Sequence, residues 1–521
     1  MAIRRDNPRS ERRDCSRAIA LAFLFALLTA GGCGGSSSGP ASQASTAASG
    51  LDKVQHIIVL MQENHSFDNY FGALPYVPGG PYHAPANSGS ACKASDHTCV
   101  NGLSCSVSGA NLDCTNSNLA ADGSTVQSYH DYNYCVEPDL DHTWHGSHRE
   151  LNYGDPNKTM SSTSDGFVRE NEKEEQNEDD TMGYYNEEDL PYYYKLAETF
   201  AVSDSNFCDL IGPTSPNRFY SLAATSFGHV VTPGNKSGGD TPPAQGFQPI
   251  NGTIFDRLDA FSIKWSEYYD PPSSESALYP DVISETMPSR PYGHVFRPSS
   301  PNYLLMSQFY TDAAAGNLAQ VVWIDLQYDE HPPADIRSGQ QEVAQVITAI
   351  RNSPAWSTSI VFFTYDEHGG AYDHVSPPAA TPPDSILPGL CADNSNPPGS
   401  THPGGGIDCT ESFTDAQLNC PAMTSTTYPA DCAQFKQLGI RVPFVAISPF
   451  SKPAYVSHVV SDHTSLLALI EKRFMSGVSL TARDAAASTL EDLFDFKHAP
   501  SANASVPASL AEPPAADHNC P

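Results

Sequence analysis

Positive charge is what this chain has least of: 28 Lys and Arg stand against 60 Asp and Glu, a net charge of −32 over 521 residues. So acidic a surface repels a phosphate backbone and anionic headgroups, which excludes nucleic-acid binding as the main activity and electrostatic adhesion to a membrane. Any membrane tie must be hydrophobic or covalent. Long apolar runs are also missing: the run from Ala18 to Ala30 is shorter than the roughly 20 residues of a spanning helix. No two cysteines are spaced Cys-x-x-Cys, which argues against a structural zinc site. Charged residues are scarce overall at 17%, and with 10% aromatics that composition speaks against disorder. No internal repeat is visible, and nothing marks a second large domain.

The amino end is where the basic residues gather. Arg4, Arg5, Arg9, Arg12, Arg13 and Arg17 precede the apolar run, and small residues then lead to Cys33, the pattern of an export signal over 1–33. Leu28-Thr29-Ala30-Gly31-Gly32-Cys33 resembles a bacterial lipobox, with Ala30 in place of the usual leucine, and so implies a lipidated Cys33 and a periplasmic or cell-surface lipoprotein, or otherwise a secreted protein. Residues 34–50 have the Gly, Ser, Ala and Thr composition of a flexible linker. The catalytic domain is expected over 51–498, followed by a Pro- and Ala-rich tail, 499–521, pinned by Cys520. Cysteines cluster at Cys92, Cys99, Cys105, Cys114 and Cys135 and again at Cys391, Cys409, Cys420 and Cys432, in Ser-, Asn- and Gly-rich segments that form no core of their own. In an exported chain these predict disulfide-stapled loops, with Cys208 as the free thiol.

The run His56-Ile57-Ile58-Val59-Leu60-Met61 is too continuously apolar for a one-sided strand and predicts a central strand of a parallel sheet. Similar runs lie at 320–325, 359–365 and 442–448, and helical periodicity falls at 253–261, 303–315, 340–351 and 463–474. Alternating buried strands and amphipathic helices make this an α/β fold, a doubly wound and mostly parallel sheet. The acidic stretch 170–180 reads as a solvated loop.

In such sheets chemistry gathers at the carboxyl ends of strands. The first strand ends in Gln62-Glu63-Asn64 and the strand at 359–365 ends in Asp366-Glu367-His368-Gly369-Gly370. Three carboxylates and an amide in one cleft call for a cation, and an all-oxygen set suits one hard divalent ion. Gly212-Pro213-Thr214-Ser215-Pro216-Asn217-Arg218 places Pro216 in the first turn of a helix with a hydroxyl residue as its cap, and a helix amino end with a free hydroxyl also suits a phosphate-like oxyanion. Histidines follow near these segments: His142, His145 and His148 after Asp141, then His294, His331, His368, His374, His458 and His463.

Taken together, these segments resemble the bacterial phosphoesterase family that contains non-zinc phospholipases C and related acid phosphatases. The resemblance rests on 56–72 (His-Ile-Ile-Val-Leu-Met-Gln-Glu-Asn-His-Ser-Phe-Asp-Asn-Tyr-Phe-Gly), on Gly212 to Arg218, on Asp329-Glu330-His331-Pro332-Pro333, on Asp366 to Val375, and on Asp462-His463-Thr464-Ser465. It implies an alkaline-phosphatase-like sheet and one metal-centred phosphoester site. Glu63, Asn64, Asp366, Glu367 and Thr214 would hold the metal, Thr214 would be the nucleophile, His142, His294 and His331 would surround the phosphoryl group, and His331 would assist the leaving alcohol. Gly293 stands where many members carry a second histidine, and Ser215 offers a competing hydroxyl. The substrate implied is a phosphoester, a phospholipid among the candidates, with phospholipase C-like diester hydrolysis favoured over an acid phosphatase acting on monoesters and over a non-catalytic surface binding protein.

Overall fold

The computed structural model describes residues 50–498, apart from 88–89, 109–110, 137–138, 173–179, 233–239, 271–290 and 399–406, together with 513–516. The expected signal, Cys33, the linker before Gly50 and Cys520 lie outside the described residues. Eight strands form the central sheet: β1 (His56–Gln62), β2 (Ala201–Ser203), β3 (Trp265–Tyr269), β4 (Tyr303–Leu305), β5 (Val321–Asp325), β6 (Ser359–Tyr365), β7 (Phe444–Ile447) and β8 (Tyr455–Ser457). Their spatial order is β4-β3-β5-β1-β6-β7-β2-β8. Every pairing is parallel except those of β7, which runs antiparallel to both β6 and β2.

The apolar run that predicted β1 is buried along its length because both sheet faces are covered. Ile58 and Leu60 point to one side, where they meet α3 (Pro191–Thr199), α6 (Met306–Ala315) and α7 (Ile336–Asn352). Ile57, Val59 and Met61 point to the other, against α4 (Thr214–Ala223), α5 (Ile254–Ala260) and α9 (His463–Phe474). Each such side chain contributes about 1.5–3 kcal/mol through its removal from water. Two shorter helices, α1 (Phe67–Phe71) and α2 (Trp144–Leu151), and α8 (Thr410–Asn419) lie in the connecting segments. Helix starts follow their sequence signals: Thr253 and Asp256 form a capping box on α5, as do Asp462 and Ser465 on α9.

Three expectations change. The segment 303–315 is not one helix: Tyr303–Leu305 pairs with β3 as the edge strand and the helix begins at Met306. The run at 442–448 forms a strand, but an antiparallel one, since direction leaves no mark on composition. The acidic stretch is not solvated throughout, because Glu170 is buried beside Arg149 at 2.5 Å. Disulfides join Cys92 to Cys99, Cys105 to Cys114, Cys391 to Cys409 and Cys420 to Cys432; Cys135 is also bonded, and Cys208 is free and buried, as expected.

Candidate active site

β1 and β6 are neighbours in register, Gln62 opposite Tyr365, and the Asp366 amide donates to the Gln62 carbonyl at 3.1 Å. Glu63 and Asp366 therefore leave the sheet side by side, although about 300 residues separate them in sequence. Asp325 ends β5 on the other side of β1. Into this row α4 sends Arg218, which is buried. Its Nε donates to Asp366 Oδ2 at 2.9 Å, Nη2 to Glu63 Oε1 at 3.0 Å and Nη1 to Asp325 Oδ1 at 3.5 Å. The guanidinium lies 3.9 Å from the centre of the Tyr292 ring, whose hydroxyl donates to Glu63 Oε1.

Two backbone features fold the flanking loops onto this row. Asn64 takes a left-handed conformation, φ 70°, which asparagine tolerates better than most residues. Gly369 and Gly370 follow with φ 60° and 74°; a Cβ at Gly369 would stand 2.3 Å from the Asn64 carbonyl oxygen, and one at Gly370 2.4 Å from Leu140 Cβ. Only glycines let the Asp366–Gly370 turn touch both the Glu63-Asn64 corner and the loop that carries His142.

The row is over-supplied with oxygen. Glu63 Oε2, Asn64 Oδ1, Glu367 Oε1 and Asp329 Oδ2 are buried with no hydrogen-bond partner. Burial pushes Asp366 up to about 8, with Arg218 opposing and Glu63 adding to the rise, and pushes Glu367 up to about 7, with His142 opposing. Burial and the neighbouring Glu63 likewise raise Asp329. One guanidinium does not balance this many carboxylates, and orphaned oxygens are what a hard cation would satisfy. Glu63, Asn64 and Glu367 thus fit the expected ligand set. Asp366 is the most committed member, since Arg218 takes Oδ2 and the Glu367 amide takes Oδ1 at 2.7 Å.

Thr214 is the first residue of α4 and is buried. The expected hydroxyl cap is absent: the cap position is Pro213, which supplies no side-chain bond. The Thr214 hydroxyl is thereby not spent on capping, and it shares a helix face with Arg218 one turn later, the turn that points at Glu63 and Asp366. Ser215 is equally buried, and its amide donates to the Thr232 hydroxyl at 3.4 Å.

The three expected phosphoryl-binding histidines share one device. Each sets its Nδ1 against a backbone carbonyl: His142 against Leu140 at 2.8 Å, His294 against Pro291 at 2.9 Å and His331 against Pro332 at 2.7 Å. Donating Nδ1–H in this way fixes the tautomer and leaves Nε2 as the chemical face. The His142 and His331 rings stand 6.0 Å apart, nearly perpendicular. Burial acts to lower His142, but Glu367, Asp139 and the Leu140 carbonyl outweigh it and push the imidazole up to about 10, so it carries charge at neutral pH.

Similarity to known proteins shows the family. The Phosphoesterase family model matches residues 54–476. Phospholipase C B of Mycobacterium tuberculosis (strain ATCC 25618 / H37Rv) is 30% identical over 485 residues, covering 86% of this chain and 79% of that one. The chain belongs to the Phosphoesterase family. This phosphoesterase is a hydrolase of phosphoric ester bonds. Non-specific phospholipase C6 of Arabidopsis thaliana is 30% identical over 396 residues, with 72% of this chain and 64% of that one covered. Among solved structures, murine ectonucleotide pyrophosphatase / phosphodiesterase 5 is similar at 10% identity over 59% of this chain and 95% of that chain, with a TM-score of 0.32.

Five of the other histidines noted in the sequence are tied to side chains. His368 Nε2 meets Glu150 Oε2 at 2.7 Å, His374 Nδ1 meets Asp68 at 2.6 Å, His458 Nδ1 meets Asp204 at 2.8 Å, His463 Nδ1 stands 2.8 Å from Asp209, and His145 Nδ1 meets Asn419 at 2.6 Å. His148 Nδ1 is bound to the Trp144 carbonyl within α2 at 2.6 Å. Sequence reasoning missed Arg218, Tyr292, Asp325 and Asp329 as site members. Arg218 lay inside a motif already singled out, and its i+4 spacing from Thr214 was the available signal. Tyr292 offered none.

Proposed function

We propose that this phosphoesterase is an exported, metal-dependent phospholipase C-type hydrolase of phosphodiesters, with Thr214 as its nucleophile. The observation that carries the reading is the cluster of orphaned buried oxygens on Glu63, Asn64 and Glu367, set at the strand ends beside the amino end of the helix that bears Thr214. A divalent ion held by Glu63, Asn64, Asp366, Glu367 and the Thr214 hydroxyl would supply Lewis acidity, lowering the hydroxyl pKa and offsetting phosphoryl charge. Thr214, its hydroxyl proton released to solvent, attacks phosphorus in line through Oγ1; its bond to phosphorus forms as the bond to the leaving oxygen breaks, and His331, entering as the imidazolium, protonates the departing alkoxide from Nε2. His142, charged, and His294 hold the non-bridging oxygens. In the second half, the water oxygen bonds to phosphorus as the bond to Thr214 Oγ1 breaks; His331 Nε2 takes the proton that water releases, and Thr214 Oγ1 is returned as the alkoxide that began the cycle.

The relatives named phospholipase C favour a diester lipid substrate. An acid phosphatase reading draws support from one feature, the charge on His142, which would help hold the extra negative charge of a monoester. Turnover of p-nitrophenylphosphorylcholine and of p-nitrophenyl phosphate across pH 4–8 decides between them: the diester is expected to be the better substrate, and a clear preference for the monoester reverses the assignment. Thr214→Ala should lose at least ~10³ in kcat with its fold intact, while Ser215→Ala keeps most of its activity. The opposite ranking would move the nucleophile to Ser215. The disulfides accord with export, since they persist in oxidising compartments; the lipidation reading is tested by whether Cys33→Ser releases the protein from membranes.

A further inference from the structure

The oxygen cluster is not the only group of potential ligands near the reaction centre. Asp139, His142 and His331 each offer a donor atom, and the three atoms lie within 4.8 Å of one another. They differ in kind from the first cluster: two imidazoles and a carboxylate form a borderline-soft set, against an all-oxygen hard one. The two imidazoles are already oriented, because the Leu140 and Pro332 carbonyls hold their Nδ1 atoms. Such second partners are what position and strengthen imidazole ligands. Asp139 is exposed and its Oδ1 stands 3.6 Å from His142 Nδ1, the nitrogen held by the Leu140 carbonyl, so the carboxylate is the member that must swing to complete the trio. Metal–ligand bonds of roughly 2.0–2.2 Å require donors somewhat closer together than they stand here, and the exposed aspartate can close that gap.

We propose that Asp139, His142 and His331 form a second, inhibitory cation site that takes zinc or a similarly soft divalent ion. Zinc displaces to solvent the proton that charges His142 and ties up the two imidazoles that the catalytic reading assigns to the phosphoryl group and the leaving alcohol, so zinc and substrate exclude each other. The inhibition rests on the catalytic reading above, whereas the ion binding does not. Asp139 touches neither phosphorus nor the leaving oxygen in that reading, but it helps keep His142 charged, so each variant's zinc inhibition is measured against its own rate without zinc.

The test uses the full chain with magnesium in excess, so that the oxygen-rich site is supplied first. Zinc is expected to raise KM for p-nitrophenylphosphorylcholine with little change in kcat. Relative to its own rate without zinc, Asp139→Ala should show zinc inhibition weakened by about tenfold or more, a loss at least as large as removing a ligand's outer partner causes. Calorimetric titration with zinc supplies a readout that needs no turnover: one equivalent is expected in the wild type, weakened in Asp139→Ala and lost in His331→Ala. Equal inhibition of the wild type and Asp139→Ala, or inhibition that lowers kcat regardless of substrate, would place zinc at the oxygen cluster and overturn the proposal. A chain that binds zinc through these three side chains yet hydrolyses neither ester would leave the cation site standing and remove the catalytic reading.

Discussion

Arg218 is the residue on which the carboxylate row depends. Its three nitrogens reach Asp366, Glu63 and Asp325, and its plane packs against Tyr292. Removing one partner from a buried ionic network leaves uncompensated charge and costs about 3–5 kcal/mol. Arg218→Ala should therefore lower the melting temperature markedly, and added magnesium should restore more of it than in the wild type, because a second cation could relieve the same carboxylates. A melting curve as sensitive to magnesium in the wild type as in the variant would contradict this. Arg218→Lys keeps the charge but not the fork that reaches three acceptors, and should fall between the two. The sequence made Glu63, Asp366 and Glu367 legible, since strand-end carboxylates announce themselves by following apolar runs. The guanidinium was harder to see, because what it touches is set by sheet register and not by local pattern.

At the scale of elements, the long buried strands β1, β5 and β6 and the capped helices α5 and α9 were readable from apolar continuity and capping residues. The short strands were not. β3 carries the buried Glu267 in its middle, which breaks the apolar run that would have marked it. α9 itself contains a buried acid with a testable consequence. Glu471 is pushed up to about 9, by burial first and then by Asp484, whose carboxylate is fixed by the amides of Leu480 and Thr481. A folded-state pKa above the unfolded one means that the favourable contribution is complete below about pH 4.5 and drains away as pH rises through 9. Glu471→Gln keeps a donor for Asp484 and cannot ionise. It should match the wild type near pH 4.5 and exceed it by on the order of 1–3 kcal/mol at pH 8. Thermal unfolding at the two pH values checks this, and parallel pH dependence in both proteins would refute it.

Across the whole molecule, the four disulfides whose two cysteines are described lie outside the central sheet, Cys105–Cys114 closing a small two-stranded hairpin, yet one staple connects to the site. Cys420–Cys432 closes the segment after α8 and packs in one apolar cluster with Trp144, Ala416 and Phe435. α8 holds the start of α2, through Asp415 to the His145 amide at 3.3 Å and Asn419 to the His145 ring at 2.6 Å. His142 lies just before that helix, so the imidazole proposed to hold phosphoryl oxygens is tied through α8 to a peripheral staple. The Cys92–Cys99 staple lies in a different stretch of chain. Opening either short loop should cost about 2–3 kcal/mol of stability, but the kinetic effects should differ. Replacing Cys420 and Cys432 by serine is expected to raise KM several-fold, because loosening α2 displaces His142, whereas replacing Cys92 and Cys99 should leave KM unchanged at equal loss of melting temperature. If both pairs shifted KM alike, the effect would be one of overall stability, and the route from α8 through α2 to the site would be wrong.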